Sequence, residues 1–218
     1  MRPDGHEGFE FKPGQFAWLT VWNSPFAIKE HPFSFSSSAA RDSSDGLAFT
    51  IKELGDFTAT IKEISSGQRV YLDGPYGQFS VDQHEGPRRY VFVAGGSGVT
   101  PVMSNLRTLA DRGDRRPILL VYANGTWEDV IFREELEGLE ERLNLRVVHV
   151  IEDPPDGWEG ERGYITADVL DRHLPEERER CEYFVCGPDP LMDAVEGALI
   201  EEIGVPFNKV HSERYNLA

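Results

Sequence analysis

The run Arg89-Tyr90-Val91-Phe92-Val93-Ala94 leads directly into Gly95-Gly96-Ser97-Gly98 and then Thr100-Pro101, and this restricts the chain more than any other feature. Apolar, β-favouring residues without polar alternation read as a strand buried on both faces. Glycines let a backbone turn sharply and approach a ligand with no Cβ in the way. Pro101 suits the first turn of a helix, where its missing N–H costs nothing. The unpaired N–H groups and positive dipole end of such a helix favour a phosphate. Strand, glycine turn and helix in that order open a parallel sheet with helices on both faces. The same residues also suit a strand-to-helix turn that holds no ligand, and proline stands where the last glycine of G-x-G-x-x-G would fall.

The second half repeats the β-α unit. Strands are expected at Arg89 to Ala94, Pro117 to Ala123, Leu145 to Ile151, Glu182 to Cys186 and Lys209 to Glu213. Helices are expected at Pro101 to Ala110, Val130 to Leu143, Ala167 to His173 and Pro190 to Ile203. This predicts an α/β domain over 88–218 with a five-stranded parallel sheet. The first half differs. Phe16 to Trp22, Leu47 to Lys52 and Arg69 to Leu72 are short strand-like runs, with one helix near Thr58 to Ile64. Gly, Pro, Ser and Asp punctuate them, which predicts a Greek-key-like β-barrel over 1–83. The polar stretch Gln83-His84-Glu85-Gly86-Pro87 is the boundary.

The formal net charge of −16 argues against nucleic acid as a partner, because phosphate binding needs a positive face. It argues equally against adsorption to anionic lipid. The acidity serves solubility in a salt-adapted proteome, or it faces a basic partner. Two cysteines, Cys181 and Cys186, match no disulfide scaffold or four-ligand metal site, and they suit a reducing compartment. The scattered histidines form no H-E-x-x-H pattern, so no metal is expected. The N-terminus lacks the apolar core of a signal peptide, and no apolar run is long enough to span a bilayer.

His31-Pro32-Phe33-Ser34-Phe35-Ser36 is an aromatic strand. Proline holds His31 extended. Alternation puts His31, Phe33 and Phe35 on one face and Ser34 on the other. The segment suits a flat aromatic ligand, and it suits a barrel core equally. Cys186-Gly187-Pro188 ends a later strand of the parallel sheet, at the edge where such sheets take ligands, with Met192 on the following helix. Core packing is the other reading of a buried cysteine.

In this order, H-P-F-S, G-G-S-G-V-T-P and C-G-P resemble the ferredoxin reductase superfamily, in its ferric reductase and NADPH oxidase variant. Phe11 to Phe16, Lys52 to Thr58 and Gly74-Pro75-Tyr76-Gly77 match further segments of that family. The resemblance implies a flavin-binding barrel followed by a nucleotide-binding α/β domain, with FAD and NADH or NADPH as cofactors. It puts His31, Pro32, Phe33, Ser34, Ser36, Ser37, Gly55, Thr58 and Tyr215 at FAD. Within that set, Phe33 stacks on the flavin, Ser34 bonds its N5 edge, His31 approaches the ribityl chain or phosphate, and Thr58 serves the pyrophosphate. It puts Gly95, Gly96, Ser97, Gly98, Thr100, Pro101, Asn124, Cys186, Gly187, Pro188 and Met192 at the nicotinamide dinucleotide. Ser34, Cys186, Glu213 and Tyr215 then carry the catalytic roles, with Tyr215 covering the flavin and the Glu213 carboxylate beside it.

The implied function is an NAD(P)H-dependent FAD oxidoreductase that passes hydride to the flavin and electrons onward to haem, ferric iron or dioxygen. A nucleotide-binding regulatory or electron-entry subunit of a larger redox complex is the second reading. The variant usually carries a haem-bearing transmembrane domain before this module, so the expected location is cytoplasmic, as the cytosolic module of a membrane protein or alone.

Two departures from the family pattern generate predictions. About ten residues precede the P-G-Q segment, where the family has a further strand or two, so weak FAD retention is expected. Stoichiometric FAD after extended dialysis would count against it. No cation stands near Ala123-Asn124-Gly125-Thr126 before Arg133, whereas Glu128 and Asp129 are acidic. NADH, or no strong preference, is therefore expected. Steady-state kinetics with both nucleotides tests this, and a catalytic efficiency about tenfold higher with NADPH would overturn it.

Overall fold

The computed structural model describes residues 1–5, 7–21, 30–40, 46–84, 86 and 88–214. In the first half, β1 (Phe16–Thr20) lies between β2 (His31–Ser34) and β3 (Tyr71–Tyr76) in an antiparallel sheet. Phe16 is paired with Ser34 on one side and with Tyr76 on the other, so these three residues form one row across the sheet. This barrel-like sheet has less strand than expected. Leu47 to Lys52 contributes a single bridge, Phe49 to Phe35, in place of a strand. The reason is that its backbone is otherwise committed: the Leu47 amide donates to the Met1 carbonyl and the Ala48 amide to the Ser37 hydroxyl. A short helix, α1 (Asp56–Ile61), follows.

The second half is a six-stranded parallel sheet, where five strands were expected. It comprises β4 (Arg89–Gly95), β5 (Ile118–Asn124), β6 (Leu145–Ile151), β7 (Glu161–Arg162), β8 (Cys181–Cys186) and β9 (Val210–Ser212), in the order β7-β6-β5-β4-β8-β9. The extra strand, β7, is a two-residue edge pairing with Val150 and Ile151. It is too short and too polar to leave a sequence pattern. Helices α2 (Val99–Asp111), α3 (Arg133–Arg142), α4 (Ala167–His173) and α5 (Asp189–Gly197) cover the faces, and one π-helical turn, Ala198–Glu202, extends α5. The third helix begins at Arg133, later than expected, because Phe132 adopts a left-handed conformation (φ 60°).

Strand alternation sorts the core into two layers. Tyr90, Phe92 and Ala94 of β4 pack with α2 and α3, together with Phe184 and Cys186. Val91 and Val93 pack with α4 and α5. The first layer continues into the first half through Phe79 and Val81.

Polar side chains in the middle of α2 join the halves. Ser104, Asn105 and Thr108 are fully buried. The Asn105 amide donates to the carbonyls of Phe79 and Pro101, and its oxygen accepts from the Val81 amide at 3.0 Å. Ser104 Oγ accepts from the Gly14 amide and donates to the Ser37 carbonyl, while Thr108 Oγ1 accepts from the Ala39 amide. At Gly14 (φ +83°) a Cβ would lie 1.9 Å from the Phe79 carbonyl oxygen, so only glycine fits there. Asn105→Leu should therefore be strongly destabilising, because each buried group left unpaired costs about 1–3 kcal/mol. Denaturant unfolding should show a lower midpoint. An unchanged midpoint would mean that these bonds do not hold the halves together.

Candidate active site

The strand order reverses between β4 and β8: the chain progresses outward from β4 to β7 on one side, then resumes at β8 on the other. Parallel sheets open a crevice at such a point, at the carboxyl ends of the strands. Here its walls are the turns after β4 and β8. They touch backbone to backbone. A Cβ on Gly98 would lie 2.3 Å from the Cys186 carbonyl oxygen, and one on Gly187 would crowd the Gly95 amide at 3.1 Å. Gly95 is closed off by Leu191 and Pro188, whereas Gly96 (φ +52°) faces open space. Ser97 is exposed between them, and Thr100 and Pro101 lie buried in the first turn of α2. The Tyr122 hydroxyl donates to the Gly96 carbonyl at 3.1 Å and steadies the turn.

Two residues beside this turn are polar, buried and unsatisfied. Thr100 Oγ1 and both amide atoms of Asn124 have no hydrogen-bond partner. Burying such groups without partners is costly, so the site suits a ligand rich in hydroxyl and phosphate oxygens. Beyond Asn124, Asp129 accepts from the amide and hydroxyl of Thr126, and these bonds hold its carboxyl below the usual range. Arg133 lies over the Trp127 ring at 4.9 Å, and Arg162 donates to the Trp158 carbonyl. Met192 sits deeper, fully buried in the second apolar layer.

On the other side, His31 stacks on Phe57 of α1 (3.8 Å, 24°), and Phe33 lies nearly parallel to the same ring (6.1 Å, 17°). These flat faces suit a planar aromatic ligand. Pro32 lies between them, and Ser34 is buried at the end of the strand. Further along, the Phe35 ring packs with Phe9, Phe11 and Phe49 in the core of the first half, beside Ala17, the residue paired with Phe33. Ser36 is buried and Ser37 half-buried at the contact with α2. Gly55 caps α1, and Thr58 Oγ1 donates to the Gly55 carbonyl and accepts from the Leu54 amide. Thr58 thus lies inside the first turn of the helix, with its hydroxyl turned back on its own loop.

Glu213 ties the two sides together. Its Oε1 occupies the space beside Gly77, where a Cβ would come within 2.3 Å. Gly77 follows Tyr76, the end of the row Ser34–Phe16–Tyr76. Burial, and then the Glu213 carboxylate, push the Cys186 thiol up to about 12. Tyr215 lies outside the described residues.

Sequence reading missed Ser104, Asn105 and Thr108. The available signal was the pair Ser104-Asn105 and, one turn on, Thr108, set among Val102, Met103, Leu106 and Leu109. A second cluster also emerged only from the fold: Glu182 of β8 accepts from Lys209 and contacts His211 Nε2 at 2.7 Å, with His84 stacked on His211. Its donor atoms lie within 4.8 Å of one another. However, the Lys209 ammonium already sits on the Glu182 carboxylate.

Comparison with known proteins follows the two halves. Residues 2–80 match a family described as an FAD-binding domain, and residues 92–197 match the oxidoreductase NAD-binding domain. The reductase component of propane 2-monooxygenase from Rhodococcus jostii is 32% identical over 99% of this chain and 58% of its own length. An NADH-cytochrome b5 reductase 1 from Pyricularia oryzae is 32% identical over 66% of this chain and 48% of its own length. This chain therefore spans about half the length of the curated relatives it matches. Among solved structures, the cytochrome b5 reductase domain of Ulva prolifera nitrate reductase superposes with a TM-score of 0.80 at 20% identity, covering 96% of this chain and 88% of that one. The ferredoxin reductase of carbazole 1,9a-dioxygenase superposes at 0.78 with 26% identity, covering 94% and 61%. The chain belongs to the ferredoxin reductase superfamily, as a flavoprotein module with an FAD-binding and an NAD-binding part.

The buried thiols generate a prediction. Burial raises both the Cys186 and the Cys181 thiol, so neither forms thiolate near neutrality. Alkylation at about pH 8 should leave both unmodified in the folded protein and reach both after denaturation. Rapid labelling of native Cys186 would show an open crevice floor.

Proposed function

We propose that this chain takes hydride from NADH onto FAD and delivers electrons singly to a haem or ferric iron centre of a partner, with dioxygen as a further acceptor. Residues 1–83 would form the FAD-binding domain and residues 88–218 the nucleotide-binding domain. The observation that carries the reading is the crevice at the strand reversal. Its phosphate-type turn abuts Cys186, and Glu213 reaches from there to the row that ends in Ser34. The H-P-F-S sequence supports the ferric reductase and NADPH oxidase variant, with a haem-bearing membrane domain as one home for the module. Among the described residues, no helix is long and apolar enough to cross a membrane.

When bound, FAD accepts two electrons as hydride and releases them one at a time. The residues of this chain have the task of alignment. The amides of Gly96 to Gly98 and the start of α2 would receive the dinucleotide phosphates, with Thr100, Pro101 and Asn124 lining the bed. Cys186, Gly187 and Pro188 would seat the nicotinamide. The neutral, desolvated thiol adds no charge where hydride moves, and Glu213 supplies the nearby carboxylate. Phe33 would stack on the flavin, His31, held extended by Pro32, would approach the ribityl chain or phosphate, and Ser34 would offer its hydroxyl to N5. Ser36, Ser37, Gly55 and Thr58 would line the remaining FAD contacts, and Tyr215 would cover the outer flavin face. Asp129, held ionised beside Gly125, disfavours a 2′-phosphate, while Arg133 rests over the Trp127 ring and Arg162 donates to the Trp158 carbonyl. That supports NADH over NADPH.

Ser34→Ala should slow flavin reduction while leaving nicotinamide affinity nearly unchanged, because a bond that strengthens as hydride arrives acts on the rate. Anaerobic single-turnover reduction by NADH, followed by reoxidation with an artificial one-electron acceptor, measures it. A wild-type protein that binds FAD but is not reduced by either nucleotide would overturn the oxidoreductase reading. An unchanged rate in the variant would remove Ser34 from the reaction.

A further inference from the structure

Arg107 lies on the same face of α2 as Ser104, one turn further on, and its guanidinium makes three kinds of contact at once. Nε and Nη2 grip the Glu135 carboxylate in parallel at 2.7 and 2.6 Å. The guanidinium lies 5.0 Å over the Phe132 ring. Nη1 donates to the main-chain carbonyl of Ser36, two residues beyond Ser34. Phe132 is the one non-glycine residue with positive φ among the described residues. A bulky side chain resists that conformation, so the surrounding structure must hold it. Here the turn places the ring under Arg107, and the Phe132 carbonyl accepts the Leu136 amide as α3 begins, with Glu135 in its first turn. The node thus joins α2, α3 and the end of the aromatic strand.

We propose that Arg107 is a positioning residue for hydride transfer: clamped by Glu135 and Phe132, it holds the Ser36 carbonyl, and with it Ser34, at a set height along α2. The start of that helix is the phosphate turn. A helix is a stiff rod, and Arg107 lies eight residues from Val99, about 12 Å along it. Fixing Ser36 to the shaft therefore fixes the distance between what Ser34 holds and what the turn holds. Ser104 at the Ser37 carbonyl and Thr108 at the Ala39 amide are the neighbouring rungs. Arg107 differs from them in that its own direction is set by a second helix. The inference rests on the flavin reading of Ser34.

The test uses the full chain with FAD, as wild type, Arg107→Lys, Arg107→Ala and Glu135→Gln. Arg172→Lys, which weakens a comparable two-bond grip on Glu161 far from the junction, is the control. Lysine keeps the charge but cannot hold carboxylate and carbonyl together in one plane. The expected result is flavin reduction slowed about tenfold in Arg107→Lys and further in Arg107→Ala, because small misplacements cost large factors in rate. The NADH dissociation constant should stay within about twofold, as for an effect on rate alone. Hydrogen exchange, read on the chain with and without FAD, should quicken at Phe35 to Ser38 and remain unchanged at Val91 to Ala94. Glu135→Gln should show the same local pattern, and Arg172→Lys neither effect. Wild-type rate and exchange in both Arg107 variants would overturn the proposal. Exchange that quickens throughout, with a matching fall in Tm, would also overturn it, since Arg107 would then be a stability contact. If wild type binds no FAD, the flavin reading fails on its own, and the exchange data still decide whether Arg107 holds the strand.

Discussion

Helix α2 is the constraint on which the rest depends. It is buried on nearly every side, so the polar groups in its middle find their partners within the fold. One flank packs on the parallel sheet through Val102, Met103 and Leu106. The other presents Ser104, Asn105 and Thr108 to main-chain groups of the first half. Those hydrogen bonds are directional and short-ranged, so they set one register between an antiparallel sheet and a parallel one, which apolar contact alone would leave free to slide.

The chemistry of the site follows from that register. The strand reversal opens a crevice, and glycines without Cβ atoms let the two turns meet there. Orphaned hydroxyl and amide groups at Thr100 and Asn124 lie beside the turn that suits phosphates. Cys186 remains a neutral thiol because it is desolvated, with a carboxylate close by. Such a surface suits the alignment of cofactors that do the chemistry themselves. It asks little of the protein as an acid or base, in keeping with a family whose cofactors carry the redox chemistry.

Much of this was legible in the chain. The apolar run before Gly95, the β-α alternation after it and the polar linker near Gln83 pointed to a parallel α/β unit behind a β-rich one. Dense motifs such as H-P-F-S, G-G-S-G and C-G-P could be read because each compresses its geometry into a few neighbouring residues. The errors fall where local pattern and tertiary partner disagree. Leu47 to Lys52 alternates like a strand, yet its amides pair with Met1 and Ser37. The edge strand Glu161–Arg162 has no apolar signature, because an edge buries almost nothing.

The sequence by itself determined a β-rich part followed by a β-α part and the local turns at H-P-F-S, G-G-S-G and C-G-P, since backbone conformation at glycine, proline and β-branched positions is decided within a few residues. Only the tertiary structure decided which distant groups meet. It set Glu213 against Gly77, Asn105 against Phe79, and Arg107 between Glu135 and Ser36. These hydrogen bonds of Asn105 and Arg107 span gaps of 26 to 71 residues, and Glu213 reaches Gly77 across a longer one. Such contacts depend on how two sheets and a helix dock as bodies, and no local spacing encodes that.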